Sequence, residues 1–251
     1  MSAWLFDLGN SRLKFARRQA EGEAGPVASI DHRIDAGFAT LPDGVRGEVA
    51  WVAAVASPAL QAALLAALAP RFPRISFART LRRCGGVRIA YAEPARLGVD
   101  RFLTLLAAHA ADGPVLACGV GTALTLDLLD GDGVHRGGRI APSPTLMRES
   151  LHARAAQLPV LGGHYAEFAD DTVDALASGC EGAALALVER SRVQAADMLG
   201  VMPRLWLHGG GANALLSQLP KAELKPALVL DGLARWAALG DGDGRASKGN
   251  G

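Results

Sequence analysis

The chain has 251 residues, half of them hydrophobic and a fifth charged, and its 26 basic residues nearly balance 25 acidic ones for a net charge of +1. That is the composition of a soluble globular protein, long enough for one large domain or two small ones. It offers no electrostatic footprint for nucleic acid, and its longest apolar runs fall well short of the roughly 20 residues that span a bilayer.

Ala3–Asp7 reads as a short buried strand, and Leu8-Gly9-Asn10-Ser11 as a tight turn, because Gly and Asn tolerate positive φ. Arg12–Arg17 returns as the second strand of a hairpin. Glu48–Ala54 is a further strand, followed by an Ala/Leu-rich helix over Ala59–Pro70. Arg74–Ala78 and Val87–Tyr91 are short and β-like, and Arg101–Ala111 has helical character. Pro114–Cys118 and Thr122–Leu129 are strands around a Gly-rich turn, and Val134–Ile140 pairs back after the turn Asp130–Gly133. Pro144–Leu158 and Thr172–Leu199 are helical. Arg204–His208 is a strand that feeds Gly209-Gly210-Gly211 and a helix start. Ala227–Leu230 reads as strand and Asp231–Leu239 as helix. Residues 240–251 lack apolar periodicity and read as a flexible tail.

Strands and helices alternate, which predicts an α/β fold. The strand–turn–strand around Asp7-x-Gly9-Asn10-Ser11 returns about 112 residues later around Gly119-x-Gly121-Thr122-Ala123. A duplicated domain is therefore expected, with halves at 1–112 and 113–239 and a seam where Asp112-Gly113-Pro114 breaks the helix. Ligands of such folds usually bind in the cleft between halves. Met1 to Gly9 is too short for a signal peptide core and contains Asp7. Cys84, Cys118 and Cys180 match neither a zinc spacing nor a secreted disulfide framework, so a reducing cytoplasm is the expected compartment.

Four segments carry candidate chemistry. In Asp7-Leu8-Gly9-Asn10-Ser11-Arg12-Leu13-Lys14, Asp7 at a strand end can hold a metal-bound water beside a polyphosphate. Gly9 lets the backbone approach a phosphate, whose oxygens successive N–H groups can cradle. Ser11 adds a hydroxyl and Lys14 a positive charge. An ordinary hairpin turn with a surface lysine accounts for the same residues. Gly119-Val120-Gly121-Thr122-Ala123 offers a second cradle with the Thr122 hydroxyl; a plain hairpin turn is the competing explanation. The run His208-Gly209-Gly210-Gly211-Ala212-Asn213 places glycines between a strand and a helix N-terminus, where an anion or a flat base could sit; a plain strand-to-helix loop is the competing explanation.

The fourth segment runs from Tyr91 to Arg101. Asp100 could accept a hydroxyl proton during attack on phosphorus, and Arg101 could grip a carboxylate or a transferring phosphoryl group. Equally, Asp100 could cap a helix that starts at Arg101, and Thr172 could be a cap for the long helix that follows it. There is no P-loop, HExxH pair, nucleophile elbow or protein-kinase HRD loop. The residues themselves nominate no metal ligand set.

Taken in order, DLGNSRLK at 7–14, Tyr91 with Leu97-Gly98-Val99-Asp100-Arg101, Gly121-Thr122-Ala123, Gly137-Gly138-Arg139-Ile140-Ala141-Pro142, Thr172 with Ser178-Gly179, and the glycines at 209–211 resemble the type III pantothenate kinases and the Bvg accessory factor-like proteins grouped with them. The resemblance covers about Ala3 to Leu239. It implies the duplicated ribonuclease H-like, actin-like ATPase fold of acetate and sugar kinases, Hsp70 and actin. It implies a homodimer that transfers the ATP γ-phosphoryl group to pantothenate in the first step toward coenzyme A, using Mg²⁺ and a monovalent cation, K⁺ or NH₄⁺. Carried over by position, residues 7–14 (Asp7, Leu8, Gly9, Asn10, Ser11, Arg12, Leu13, Lys14) and Thr122 would bind ATP. Tyr91, Gly98, Val99, Asp100, Arg101 and Thr172 would hold pantothenate, with Asp100 as proton acceptor. Three positions depart from the family pattern. Gly119 stands where the family has an Asp that helps place the monovalent cation, Ser11 stands where Thr is usual, and His208 stands where Thr often precedes the glycines. Gly119 also admits a rival expectation, a regulatory accessory protein that keeps the fold without the chemistry.

Overall fold

The computed structural model describes residues 2–19 and 23–246, and side chains as far as Leu239. The chain divides into two compact units. The first takes the chain up to Ala111, the Gly133–His135 segment and the chain from Ala227. The second takes Asp112–Asp132 and Arg136–Pro226.

In the first unit, β1 (Ala3–Leu8) and β2 (Arg12–Arg17) form the expected hairpin, with Asp7 opposite Lys14 and Leu8 opposite Leu13. β3 (Ala28–Asp31) extends it antiparallel, and β4 (Val49–Ala54) and β5 (Arg74–Phe77) add parallel strands on the other side. The sheet order is β3-β2-β1-β4-β5. Buried residues lie on both faces of β1 and β2, and β4 is buried almost throughout, as a strand covered on both faces must be. One face carries α1 (Pro58–Leu68), begun by Ser57, whose hydroxyl accepts from the Leu60 N–H, with Pro58 in the first helical turn. Phe6, Phe15 and Phe72 pack there with Leu64 and Leu68.

A two-stranded ribbon, β6 (Arg83–Cys84) with β7 (Val87–Arg88), and a 3₁₀ turn over Pro94–Arg96 lead to α2 (Val99–Ala108). Every residue of α2 from Arg101 to Ala108 is buried.

The second unit repeats the arrangement. β8 (Val115–Val120) and β9 (Ala123–Leu129) form an antiparallel hairpin. β10 (His135–Pro142) flanks β9, and β11 (Arg204–His208) and β12 (Ala222–Leu224) continue parallel from β8. The order β10-β9-β8-β11-β12 matches the first sheet strand for strand. Between these strands run α3 (Pro144–His152), capped by the Ser143 hydroxyl on the Leu146 N–H, and α4 (Thr172–Leu199). α4 stops at Gly200 with φ +70°, the left-handed cap that glycine adopts freely. α5 (Ala212–Leu216) follows β11.

Several sequence expectations are corrected. Ala227–Leu230 is not a strand: Leu228 already opens α6, which runs to Ala246. The apolar run was too short to distinguish the two states by periodicity. α6 packs along α2, β1 and β4, so it belongs to the first unit and not to the 113–239 half. The expected tail at 240–251 is helical backbone through Ala246, since extending a packed helix avoids a new nucleation step; its remainder lies outside the described residues. The helix expected over Pro144–Leu158 ends at His152. β3, β6 and β12 had no clear alternation and were not foreseen.

Close approach of α6 to α2 depends on Gly232, where a Cβ would overlap the Leu103 carbonyl. Backbone cannot yield as a side-chain tip can. Gly232→Ala is therefore expected to destabilise the protein by about 3 kcal/mol, read as a fall in melting temperature of roughly 5–10 °C by calorimetry.

Candidate active site

The first turn is built by the β1–β2 register. Gly9 N–H donates to the Arg12 carbonyl at 3.0 Å and closes the loop. His32, just after β3 and 4% exposed, donates from Nε2 to the Gly9 carbonyl at 2.9 Å, which fixes its tautomer. Its ring meets Phe38 edge-on. His32 thus buttresses the turn from below. No motif in the sequence singles it out, because its partner is a backbone atom 23 residues away.

Asp7 sits at the mouth of this hairpin. Loss of hydration pushes its pKa up to about 7, the nearby Asp100 carboxylate pushes the same way, and Lys14 partly opposes both. Two residues far apart in sequence are therefore brought into electrostatic contact within the first unit, and the cation of Lys14 stands with them.

Asp100 lies in the first turn of α2, where a carboxylate gains from the helix dipole. It is not the N-cap: Gly98 takes that position and α2 starts at Val99, two residues before the expected start. A Cβ at Gly98 would lie 2.5 Å from Asp100 Oδ1, so the missing side chain leaves room for the carboxylate. The next residue, Arg101, is 6% exposed. Its Nη1 donates to the Tyr91 hydroxyl at 3.4 Å, and its guanidinium lies 6.0 Å from the Tyr91 ring centroid. Tyr91 in turn stacks on His135, with ring planes 8° apart. Buried His135, which reasoning on sequence missed, accepts the Ala90 N–H on Nδ1 and fixes the segment that carries Tyr91. A guanidinium, a phenol and a helix-borne carboxylate so converge at the start of α2, a donor-rich setting for an anionic substrate.

The structure therefore groups Asp7–Lys14, Tyr91 and Gly98–Arg101 in the first unit. Thr122 and Thr172 belong to the second. Thr122 is exposed in the β8–β9 turn, and its carbonyl accepts the Ser143 hydroxyl at 3.0 Å. Thr172 is the first residue of α4; the cap is Asp171, whose carboxylate accepts from the Val173 and Asp174 N–H groups.

Beside Thr122, the Gly209–Gly211 loop presses on the second turn. Gly211 N–H donates to the Val120 carbonyl at 3.0 Å, and Gly209 has φ +95° with no room for a Cβ against Val120. α5 has only five residues, too few for the helix N-terminal anion site expected there. A cavity of about 770 Å³ in the second unit lies along α4, lined by Tyr165, Glu167, Phe168, Ser178 and Glu189; no predicted site residue lines it. Burial pushes the Cys118 thiol up to about 12, so it is no nucleophile at neutral pH. Among the described residues, no group of three or more His, Cys, Asp or Glu side chains could hold a metal ion.

The profile of type III pantothenate kinases matches residues 4–194. The chain belongs to the type III pantothenate kinase family. A type III pantothenate kinase of Stenotrophomonas maltophilia (strain K279a) is 59% identical over 238 residues, covering 94% of this chain and 98% of that protein. One of Xanthomonas campestris pv. campestris (strain B100) is 58% identical over 241 residues, with 94% and 98% coverage. Among solved structures, a Baf-family protein of Campylobacter jejuni is similar at a TM-score of 0.64 and 18% identity, covering 95% of this chain and 99% of that one. The ethanolamine utilization protein EutJ of Carboxydothermus hydrogenoformans is similar at 0.52 and 12%, with coverage of 94% and 90%. With the repeated sheet order, these likenesses establish the duplicated actin-like ATPase fold.

Two outcomes test this geometry. The raised pKa of Asp7 means that the folded chain holds a proton which the unfolded chain releases near pH 4. Stability should therefore fall as pH rises from about 4 to 7 and level off above. Asp7→Asn removes this penalty. Urea titrations without divalent metal should show the variant gaining on wild type across that window, by a few kcal/mol, on the order of what the shift implies, at pH 8. Gly98→Ala should displace the Asp100 carboxylate and lower kcat at least tenfold while circular dichroism stays unchanged.

Proposed function

We propose that the chain phosphorylates pantothenate with ATP, the first step of coenzyme A biosynthesis, with Asp100 as the proton acceptor. The observation that carries this reading is the convergence of Asp7, Lys14 and Asp100 in the first unit, beside the buried Arg101–Tyr91 pair. A phosphate turn and a helix-borne base then stand within electrostatic reach of one another.

The residues divide the work as follows. The turn at Asn10 and Ser11, which the Gly9–Arg12 bond closes, binds phosphate oxygens through its backbone N–H groups and the Ser11 hydroxyl, and Lys14 offsets their charge. Thr122 is assigned to ATP, and Thr172 to pantothenate, on the family pattern. Tyr91, Gly98, Val99 and Arg101 hold pantothenate, with Arg101 gripping its carboxylate. Asp100 orients the primary hydroxyl and takes its proton as the oxygen attacks the γ-phosphorus, while the phosphorus–oxygen bond to ADP breaks. The protein's part in such a transfer is chiefly positioning and charge stabilisation.

Mg²⁺ fits this site. Magnesium is usually held by one or two carboxylates together with substrate phosphates, and Asp7 and Asp100 are two carboxylates whose mutual repulsion such an ion would relieve. Bound with ATP, it would withdraw charge from the phosphate oxygens. A carboxylate-held monovalent cation has no such support, since position 119 carries no side chain.

We extend the reading to a cytoplasmic homodimer. Three free cysteines suit a reducing compartment, and no described helix is long and apolar enough to cross a membrane. Leu161 and Phe168, 80% and 100% exposed, give the second unit apolar surface that a second copy would cover.

The test is ADP release from Mg·ATP with and without pantothenate, with the product confirmed by mass. Pantothenate-dependent release is expected; ADP release indifferent to pantothenate would reject the acceptor. Asp100→Asn should lower kcat by roughly 10²–10⁴-fold with little change in melting temperature, and near-normal turnover would remove Asp100 from the mechanism.

A further inference from the structure

The second turn holds an arrangement that neither the family pattern nor the first turn contains. β8 and β11 are parallel neighbours, and their register sets Gly119 directly beside His208. The space that a side chain at 119 would occupy is already filled. A Cβ there would lie 2.6 Å from Thr125 Oγ1, 2.8 Å from His208 Nε2 and 3.0 Å from His208 Cε1. Both neighbours would have to move to admit it. Gly119 and His208 are thus one feature: the glycine makes room, and the imidazole leans across the end of β8 into it.

This place adjoins the proposed phosphate cradle. One residue beyond Gly119 the Val120 carbonyl accepts the Gly211 N–H, and Gly209 packs on Val120 without room for a Cβ. Gly121 and Thr122 are exposed immediately after. The ends of β8 and β11 therefore bring the Thr122 turn and the His208 imidazole to one edge of the second unit. Carboxyl ends of parallel strands are where ligands of open α/β sheets gather. The residues present do not fit a carboxylate-held K⁺ or NH₄⁺, because the carboxylate is absent and its space is taken.

We propose that His208 binds the ATP phosphate chain directly and replaces a monovalent cation, so that the enzyme works without K⁺ or NH₄⁺. An imidazole N–H held beside the cradle supplies a fixed donor to a phosphate oxygen, where a cation would supply a mobile charge. The inference rests on the reading of the second turn as an ATP site.

The experiment measures Mg·ATP affinity by calorimetry and pantothenate-dependent ADP release, each in potassium, ammonium and tetramethylammonium chloride at equal ionic strength. Wild type is expected to vary by no more than about twofold among the three salts. His208→Thr should bind Mg·ATP at least tenfold more weakly in tetramethylammonium, and the double variant Gly119→Asp with His208→Thr should recover affinity only in potassium or ammonium. Activation of wild type by tenfold or more in potassium or ammonium overturns the proposal, as does wild-type affinity in His208→Thr. Should the variants fail to fold, judged by their melting temperatures, the wild-type salt series decides alone. Nucleotide binding without pantothenate-dependent turnover rejects the acceptor and leaves the histidine result standing. No nucleotide binding in any salt rejects both.

Discussion

The approach of two carboxylates, Asp7 and Asp100, is the constraint around which the first unit is arranged. A carboxylate stripped of water costs free energy, and a like charge nearby adds to that cost; the pKa of Asp7 is raised first by lost hydration and then by Asp100. A fold keeps such a pair only if something else holds the two elements in place. Here one carboxylate ends a strand fixed by pairing on both sides, with Lys14 across from it and β4 parallel behind it. The other begins a helix that is buried along its length and clamped against α6. The apolar core, not the site, supplies the rigidity, and the site uses it to keep charges where a phosphate and a divalent cation would relieve them.

Small residues set the distances in this arrangement. Gly232 lets α6 lie on the backbone of α2, so the helix that carries Asp100 cannot drift. Gly98 leaves room for the Asp100 carboxylate itself. In the second unit, Gly209 and Gly119 do comparable things for the other turn: one lets a loop press on Val120, the other admits an imidazole. None of these glycines acts chemically. Each is an absence of atoms that allows a neighbour to take a position.

The two units show how duplication and divergence coexist. Their sheets have the same order and the same hairpin at the start. Yet the hairpin of the first unit ends in a carboxylate beside a lysine, whereas that of the second ends in a glycine beside a histidine. The backbone scaffold is common because strand pairing fixes it. The chemistry differs because only the side chains at the strand ends face outward from that scaffold.

Much of this was legible in the sequence. The β1–β2 and β8–β9 hairpins, the long helix α4 and strand β11 follow from local apolar pattern and from Gly, Asn and Asp at the turns, which act over a few residues. The segments 7–14 and 91–101 were nominated for the same reason, since their residue types and spacing are local facts. Tertiary structure alone decided the rest. It placed α6 with the first unit, because packing against α2 and β1 is a long-range choice. It made helix of the run from Leu228 to Leu230, apolar residues that suit either state. It moved the start of α2 to Val99 and the cap to Gly98, so that Asp100 faces Asp7 and does not cap a helix. It recruited His32 and His135 to brace the turn and Tyr91, and it set His208 in the space left by Gly119. A sequence specifies such contacts only through the whole fold, because the partners are brought together by sheet register and helix packing rather than by nearness along the chain.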